Sequence, residues 1–575
     1  MLQASTGKLF TYPIGHSNLL RGVLYTNMDI LGHDEVNTVF GKILPLSMHR
    51  QPNVISCEIV ENIERVGEGP GILHSNGIDI YLNDFADIVS FSLNVICTPD
   101  VDLASRLLSG QPRAGTTSPN KLLTRIFDKS VIIKQDDLIT LKIFTTELLG
   151  LSREKYLIAI KAIRTYITAL HRLADDLDLS YTLLVMSTEA LVQKFSDFQT
   201  QWSDVEEVKR KPIEVILKEL NTETSARLKA AIVQNEHLAL SKKFKHFILA
   251  NLPESYFTDD AALQTHPIGR KDLESALQNL YKTRSKYVHE LQALPKEFTH
   301  FAGPTETVVI GDEMLLSFQG LTRLAKAVIK EFVRKQKKID KDPCDYSLEN
   351  PNLVRMKMCP STWVTNASQL NKDNCSIYFT GFVSLLDEYY NDYPNKKIYD
   401  MRGIIELGFS LKHQLKAQQR LSIFAIAVIF ESLVTPQYAP KITMSEQDFA
   451  QINSPSIESL IGHTVLGIDT EWSVTEHEIE FENYYQKRLK KSGFRLPHKL
   501  EACLGLALTE RYRATGDHES AQKILSLTAD NFPSLKAVRE LSINYDPTMV
   551  INWIKIVYPN TIKTHPESDL ECIGL

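Results

Sequence analysis

Cysteine is scarce in this chain, with seven in 575 residues, and no two stand in a C-x-x-C pair. Cys57, Cys97, Cys344, Cys359, Cys375, Cys503 and Cys572 are scattered, which excludes a zinc ribbon and a disulfide scaffold and fits a reducing compartment. Long apolar runs are lacking as well. The most apolar one, LSIFAIAVIF at 421–430, is ended by Glu431 and falls far short of the ~20 residues that cross a bilayer. The opening MLQASTGKLFTYPIGHSN has no charged start followed by an apolar stretch, so no signal peptide is read and a cytoplasmic location is expected. Excess positive charge is missing too. Lys+Arg number 64 against 70 Asp+Glu, a net −6, so bulk charge cannot hold nucleic acid and any contact with RNA must be local. The glycine cluster GEGPG at 67–71 has no following Lys-Ser/Thr and reads as a turn, not a phosphate cradle.

What is present is the composition of a folded soluble protein, 43% hydrophobic and 23% charged. At roughly 100–200 residues per domain the length allows about three to five domains. Residues 1–135 are mixed with a β bias, from short runs such as VISCEIV (54–60) and GIDIYL (77–82), and close near the loop GQPRAGTTSPN (110–120). Residues 137–341 turn helical. Tyr156, Ile160, Ile163, Ile167 and Leu170 make one apolar face; Leu179, Leu183, Met186 and Ala190 predict another. Further helical segments are expected at 223–251, at Leu273, Leu277 and Leu280, and at Leu321, Ala325, Val328 and Phe332, together a five-helix bundle. Residues 342–496 read as mainly helical. Residues 497–575 are helical again, and Leu508, Tyr512, Ala521, Leu525 and Pro533 match part of one tetratricopeptide-type repeat, expected as a hairpin docked on the rest of the chain. The expected class is α+β, predominantly α-helical.

One helix carries a chemical signal. In DLESALQNLYKTRSKYVHELQAL (272–294) the stripe Leu273, Leu277, Leu280, Tyr287, Leu291 includes Arg284, a costly place for a guanidinium unless it meets a partner or lines a cleft. His289 follows five residues later. This Arg-x4-His spacing, the run LYKTRSKYVHE, the upstream SYTLLVMSTEALVQKF (180–195) and the stretch YLNDFADIVSFSLNVICTPDVDLASRLLSG (81–110) resemble the HEPN superfamily of helical-bundle proteins, its ApeA-like bacterial members in particular, over roughly residues 80–340. The resemblance implies a metal-independent endoribonuclease of phage-defence or toxin-like type. His289 would be the acid/base, Arg284 the phosphate anchor, Glu189 the group that orients Arg284, and Ser285 a hydrogen-bond donor beside it. It also implies single-stranded RNA as substrate, transfer RNA among the candidates, and a homodimer that pairs two Arg/His sets, with no metal and no cofactor.

The chemistry needs only an imidazole that moves protons while the 2′-OH attacks the neighbouring phosphorus, and a cation on the phosphate oxygens. Arg323, Lys326, Lys330, Arg334 and Lys337, with Lys341, fall opposite an apolar stripe and are candidates for phosphate contact. Two other readings stand beside this one. A non-catalytic HEPN scaffold would bind a partner or nucleotide. A degenerate DEDD-type 3′–5′ exonuclease would place Asp469 and Glu471 of TVLGIDTEW on a strand begun by Val465, Leu466 and Ile468. Asp84 and Asp87 read as structural; Arg513 and His518 repeat the Arg-x4-His spacing inside a helix–turn–helix loop and Arg164/His171 fits a looser version, both without the context of 284–289.

Overall fold

The computed structural model describes residues 1–561 apart from 31–34, 48–50, 67–68, 71–74, 111–116, 206, 236–239, 301–304, 347–348, 351–352, 355, 491–492 and 494. Parts of the 67–71 turn and of the 110–120 loop, and Cys572, lie outside the described residues. The chain is α+β and predominantly helical, 59% helix and 9% strand. It divides into two compact units, residues 1–354 and 355–575.

In the first unit an antiparallel sheet is built on two long strands, β1 (Ile14–Thr26) and β4 (Asn53–Val66), which run in register from Leu20↔Ile59 to Tyr25↔Val54. With β2 (Val36–Asn37), β3 (Gly41–Ser47) and β5 (Cys97–Thr98) the order is β2-β3-β4-β1-β5. Period-two alternation turns Leu24, Ile43, Ile55, Cys57 and Ile59 inward and leaves Leu19 and Val60 half exposed on the outer face. Helix α1 (Asp79–Leu93) covers the inner face. GIDIYL therefore opens a helix instead of forming a β segment, because Tyr81, Leu82, Phe85, Ile88 and Val89 are buried at helical spacing. Gly22 lets α1 come close, since a Cβ there would lie 2.6 Å from Leu82.

After α2 (Val101–Leu108) come α3 (Gln135–Leu149), α4 (Arg153–Arg172) and α5 (Leu177–Phe195), then α6 (Glu207–Leu217), α7 (Thr222–Asn235) and α8 (Leu240–Ala250). The first unit is completed by α9 (Arg270–Glu290), the hairpin β6 (Thr307–Ile310) and β7 (Glu313–Leu316), and α10 (Phe318–Lys335). The segment expected as one helix at 223–251 is thus two. The stripe read on α4 is buried throughout. On α5 the face is different from the one read: Tyr181, Leu184, Val185, Thr188 and Leu191 are buried, while Met186 is 40% exposed. One apolar cluster runs from Met1 through α1, α4, α5, α9 and α10 to Tyr346, so the sheet and the bundle share a core and no core boundary falls near 135.

In the second unit α11 (Cys375–Asn391), α12 (Arg402–Ser410), α13 (Ala417–Leu433), α14 (Ile457–Leu466), α15 (Val474–Lys487), α16 (His498–Ala514) and α17 (His518–Asn531) surround one core. The apolar run LSIFAIAVIF lies in α13, whose Phe424, Ile426 and Phe430 are fully buried; a helix apolar on most sides belongs inside. α16 and α17 form the expected hairpin and α16 also packs on α14 and α15, so residues 342–496 and 497–575 do not hold separate cores. Among the described residues no helix is long and apolar enough to cross a membrane.

Candidate functional site

The side chains of the α5–α9 seam come together because α9 continues its apolar stripe into a polar one. Leu273, Ala276, Leu277 and Leu280 are buried against the bundle, and Arg284, one turn on, follows the same face. Its guanidinium meets Glu189 of α5 at 2.6 Å, with the two side chains 16% and 10% exposed. Tyr281, one turn back, lies under the guanidinium at 5.9 Å from ring centre to Cζ, and its hydroxyl donates to Glu189. Burial pushes the Glu189 carboxyl above its ordinary range, and Arg284 and Tyr281 pull it back. The Nε–H of Arg284 is buried without an acceptor among the described residues. Tyr281 was not foreseen as a site residue, although its place three residues before Arg284 on the same face was the available signal.

His289 is exposed in the last turn of α9. The helix stays regular to Glu290 and ends at Leu291, which adopts left-handed φ 52 and is 79% exposed instead of continuing the stripe. Five residues along a regular helix rotate about 140° and rise about 7.5 Å. Arg284 and Glu189 are therefore brought together, whereas His289 leaves the helix toward solvent and has no hydrogen-bond or ion-pair partner among the described residues. Ser285 is half-buried beside Arg284. The end of α9 is tied to the start of α5, where Asp178 accepts from the Leu294 amide at 2.5 Å.

The basic residues of α10 do not form one solvated row. Arg323 pairs with both carboxylate oxygens of buried Glu306, donates to the Tyr256 carbonyl at 2.9 Å and stacks 3.8 Å over the Tyr256 ring. Lys326 donates to Asn94 Oδ1 at 2.6 Å and to the Ser92 carbonyl at 3.3 Å. Lys330 rests 6.0 Å over the Phe144 ring. Arg334 pairs with Glu331 at 2.6 Å while staying largely exposed, Lys341 donates to the Gly7 carbonyl at 2.8 Å, and Lys337 is exposed. At Arg323, Lys326 and Lys330 the polar side of α10 is covered by α1, α3 and the Tyr256 segment, all distant in sequence.

The strand that the exonuclease reading calls for is not formed at TVLGIDTEW. Val465 and Leu466 end helix α14, Gly467 caps it at φ 69, and the chain turns into α15 through the Ser473–Glu476 capping box, so no strand carries Asp469 and Glu471. Asp469 accepts from Arg511 at 2.9 Å and Glu471 is exposed. No cluster of three or more metal-ligating side chains occurs among the described residues. Asp84 is structural, held between the Met1 amino group at 3.0 Å and Arg164. Burial pushes neighbouring Asp87 up to about 8, with Asp84 adding to it. Arg513 pairs with Glu510 inside the hairpin. His171 lines a cleft with Asp100, Asp102, Arg106 and Arg172. No protein-family model, curated protein or solved structure matches the chain.

Proposed function

We propose that the protein is a metal-independent endoribonuclease of HEPN type, acting on single-stranded RNA in the cytoplasm in a phage-defence or toxin-like role. The observation that carries the reading is the Arg284–Glu189 pair: a guanidinium placed on a core-facing stripe, held by a carboxylate of the neighbouring helix, five residues before an exposed imidazole. In this reading Glu189 and Tyr281 fix Arg284, which anchors the phosphate. His289 takes the proton of the attacking 2′-OH and returns one to the 5′-oxygen that leaves, giving a 2′,3′-cyclic phosphate. Because His289 and Arg284 diverge on one helix, two copies of α9 would supply the groove, each completing the other's set, which makes a homodimer part of the proposal.

The test is cleavage of end-labelled single-stranded RNA in EDTA by the purified protein and by His289→Ala. Chelator-resistant cleavage that ends in a cyclic phosphate and falls by about two to four orders of magnitude in the variant is expected. Cleavage that survives in the variant, or none at all, rejects the nuclease. A second reading, a non-catalytic scaffold, is favoured by the same divergence of the two side chains: Arg284 then only staples α9 to α5. RNA or nucleotide binding without cleavage, lost in Arg284→Met together with stability, would support it.

A further inference from the structure

α2 and the C-terminal end of α4 flank a cleft of about 380 Å³, within the size range of small-molecule sites. α2 lines it with Asp100, Asp102 and Arg106, and α4 with Thr168, His171 and Arg172. The charged side chains can be reached from solvent. Those of Arg106 and Arg172 are 46% and 49% exposed, and Asp100 and Asp102 are exposed as well. Behind His171 the wall is dry. Val95, Ile96, Ile167 and Leu170 leave no room there for a water molecule, so the cleft is where the imidazole can meet a polar partner.

The charges of the cleft are sorted by position. Asp102 and Arg106 stand four residues apart on α2, a spacing that ordinarily pairs them. Arg106 turns instead to Asp175, in the turn after α4, and Arg172 stands 3.6 Å from the other oxygen of the same carboxylate. Both guanidiniums therefore gather toward the end of α2. Each carries five N–H groups, so each keeps donors beyond the one directed at Asp175. At the start of α2, Asp100 Oδ1 accepts from the Asp102 and Leu103 amides at 2.9 and 3.0 Å. Neither Asp100 Oδ2 nor the Asp102 carboxylate has a partner among the described residues. The cleft thus holds two guanidiniums and three carboxylates, with Asp175 between the guanidiniums and Asp102 one helical turn, about 6 Å, from Arg106 along the axis. Burial first, and then Arg106 and Arg172, hold the His171 imidazole down at about 4, so it stays a neutral ring beside them.

We propose that this cleft binds a short peptide of dipeptide size with both termini free, its ammonium on Asp100 and Asp102 and its carboxylate on Arg106 and Arg172. A compact anion would use only the guanidinium end, and a simple cation only the carboxylate end. A zwitterion answers both. Two extended residues span about 7 Å, close to the rise between Asp102 and Arg106 along α2. The planar guanidinium forks suit a carboxylate, and the His171 ring offers the peptide group a hydrogen bond without adding charge. The cleft shares no residue with the α5–α9 seam, and its assignment does not depend on the nuclease reading.

Calorimetric titration of the full-length protein with L-alanyl-L-alanine, and separately with its N-acetylated and its C-terminally amidated forms, tests it. Saturable one-site binding of the free dipeptide is expected, weakened about tenfold or more when either end is blocked, as loss of a charge-assisted contact would give. Arg172→Gln should weaken the free dipeptide by a similar factor and narrow its advantage over the amide. Asp102→Asn should narrow its advantage over the acetylated form. Both positions are on the surface, so the thermal melts should stay in place. Lys523→Gln, an exposed lysine of the second unit, should leave binding unchanged. Absence of saturable binding overturns the proposal, as does binding indifferent to both Arg172→Gln and Asp102→Asn. An acetylated form that binds as well as the free dipeptide also overturns it, in favour of a plain anion site at the two arginines.

Discussion

Truncating Glu189 to Ala would strand the Arg284 guanidinium, whose side chain is 16% exposed and whose Nε–H already lacks an acceptor. Removing one partner of a buried pair costs about 3–5 kcal/mol, well above the value of an exposed ion pair. The opposite truncation, Arg284→Met, has a pH signature. Burial raises the Glu189 carboxyl, and Arg284 is the first influence that pulls it back. Without the guanidinium the folded-state value climbs further above the unfolded one, so the folded variant gains stability from proton uptake as pH falls and loses it as pH rises through the folded value. The penalty of Arg284→Met relative to wild type should therefore be smaller at pH 5 than at pH 8, as read from urea melts at both. An equal penalty at the two pH values would mean that Glu189 does not take up the proton. Since the contact is structural in either functional reading, this experiment reports on the pair and not on catalysis.

At the scale of elements, the α16–α17 crossing rests on Gly505. A Cβ there would lie 2.1 Å from Thr528 Oγ1, which is fixed by its own bond to the Ile524 carbonyl at 2.7 Å. Gly505→Ala gains about 1 kcal/mol of helix propensity, yet the clash has no flexible side chain to absorb it, and a net loss of about 1–3 kcal/mol is expected. Thr528→Ala should restore most of that loss in the double variant, which a four-way comparison of thermal melts measures. The sequence made this hairpin legible because its apolar steps and Gly516 at the turn are local signals. The true face of α5 was less legible. Its buried surface includes Ser180, Ser187 and Thr188, which bond carbonyls of Ala169, Leu184 and Val185, so polar residues hide on the inside while Met186 faces out. The α10 stripe was less legible for a related reason: Glu306 and Asn94 pair with Arg323 and Lys326 and the Phe144 ring underlies Lys330, and periodicity carries no record of such partners. At the candidate site the Arg284–Glu189 contact could be anticipated from a charge on an apolar stripe. The outward turn of His289 follows from helix geometry, and Tyr281 was a local neighbour left unread.

For the whole molecule, each of the two units holds an imidazole whose surroundings oppose its protonation, and acid should act on both. His477 is 2% exposed and neither of its ring nitrogens has a partner among the described residues. Burial, with Arg511 and His463 adding and Asp469 opposing, lowers it to about 4. His171 in the first unit is also lowered to about 4, by burial and then by Arg106 and Arg172. A folded-state value below the unfolded value of about 6.5 means that the unfolded chain takes up the proton first. Stability contributed by each neutral histidine is thus complete above about pH 6.5, declines as pH falls toward 4 and is constant below. For His477 the full loss is about 3 kcal/mol, from 1.36 kcal/mol per unit of displacement. His477→Leu removes the titration and the unpaired nitrogens together, so the variant should match or exceed wild type near pH 5 and differ less at pH 7.5. Denaturant melts at both pH values, followed by tryptophan fluorescence, provide the measurement, because all four tryptophans bar Trp202 lie in the second unit and Trp472 stands 6.4 Å from the His477 ring. A variant that shows the same acid sensitivity as wild type would place the responsible group elsewhere, with His171 and the carboxylates of the ion pairs as the remaining sources.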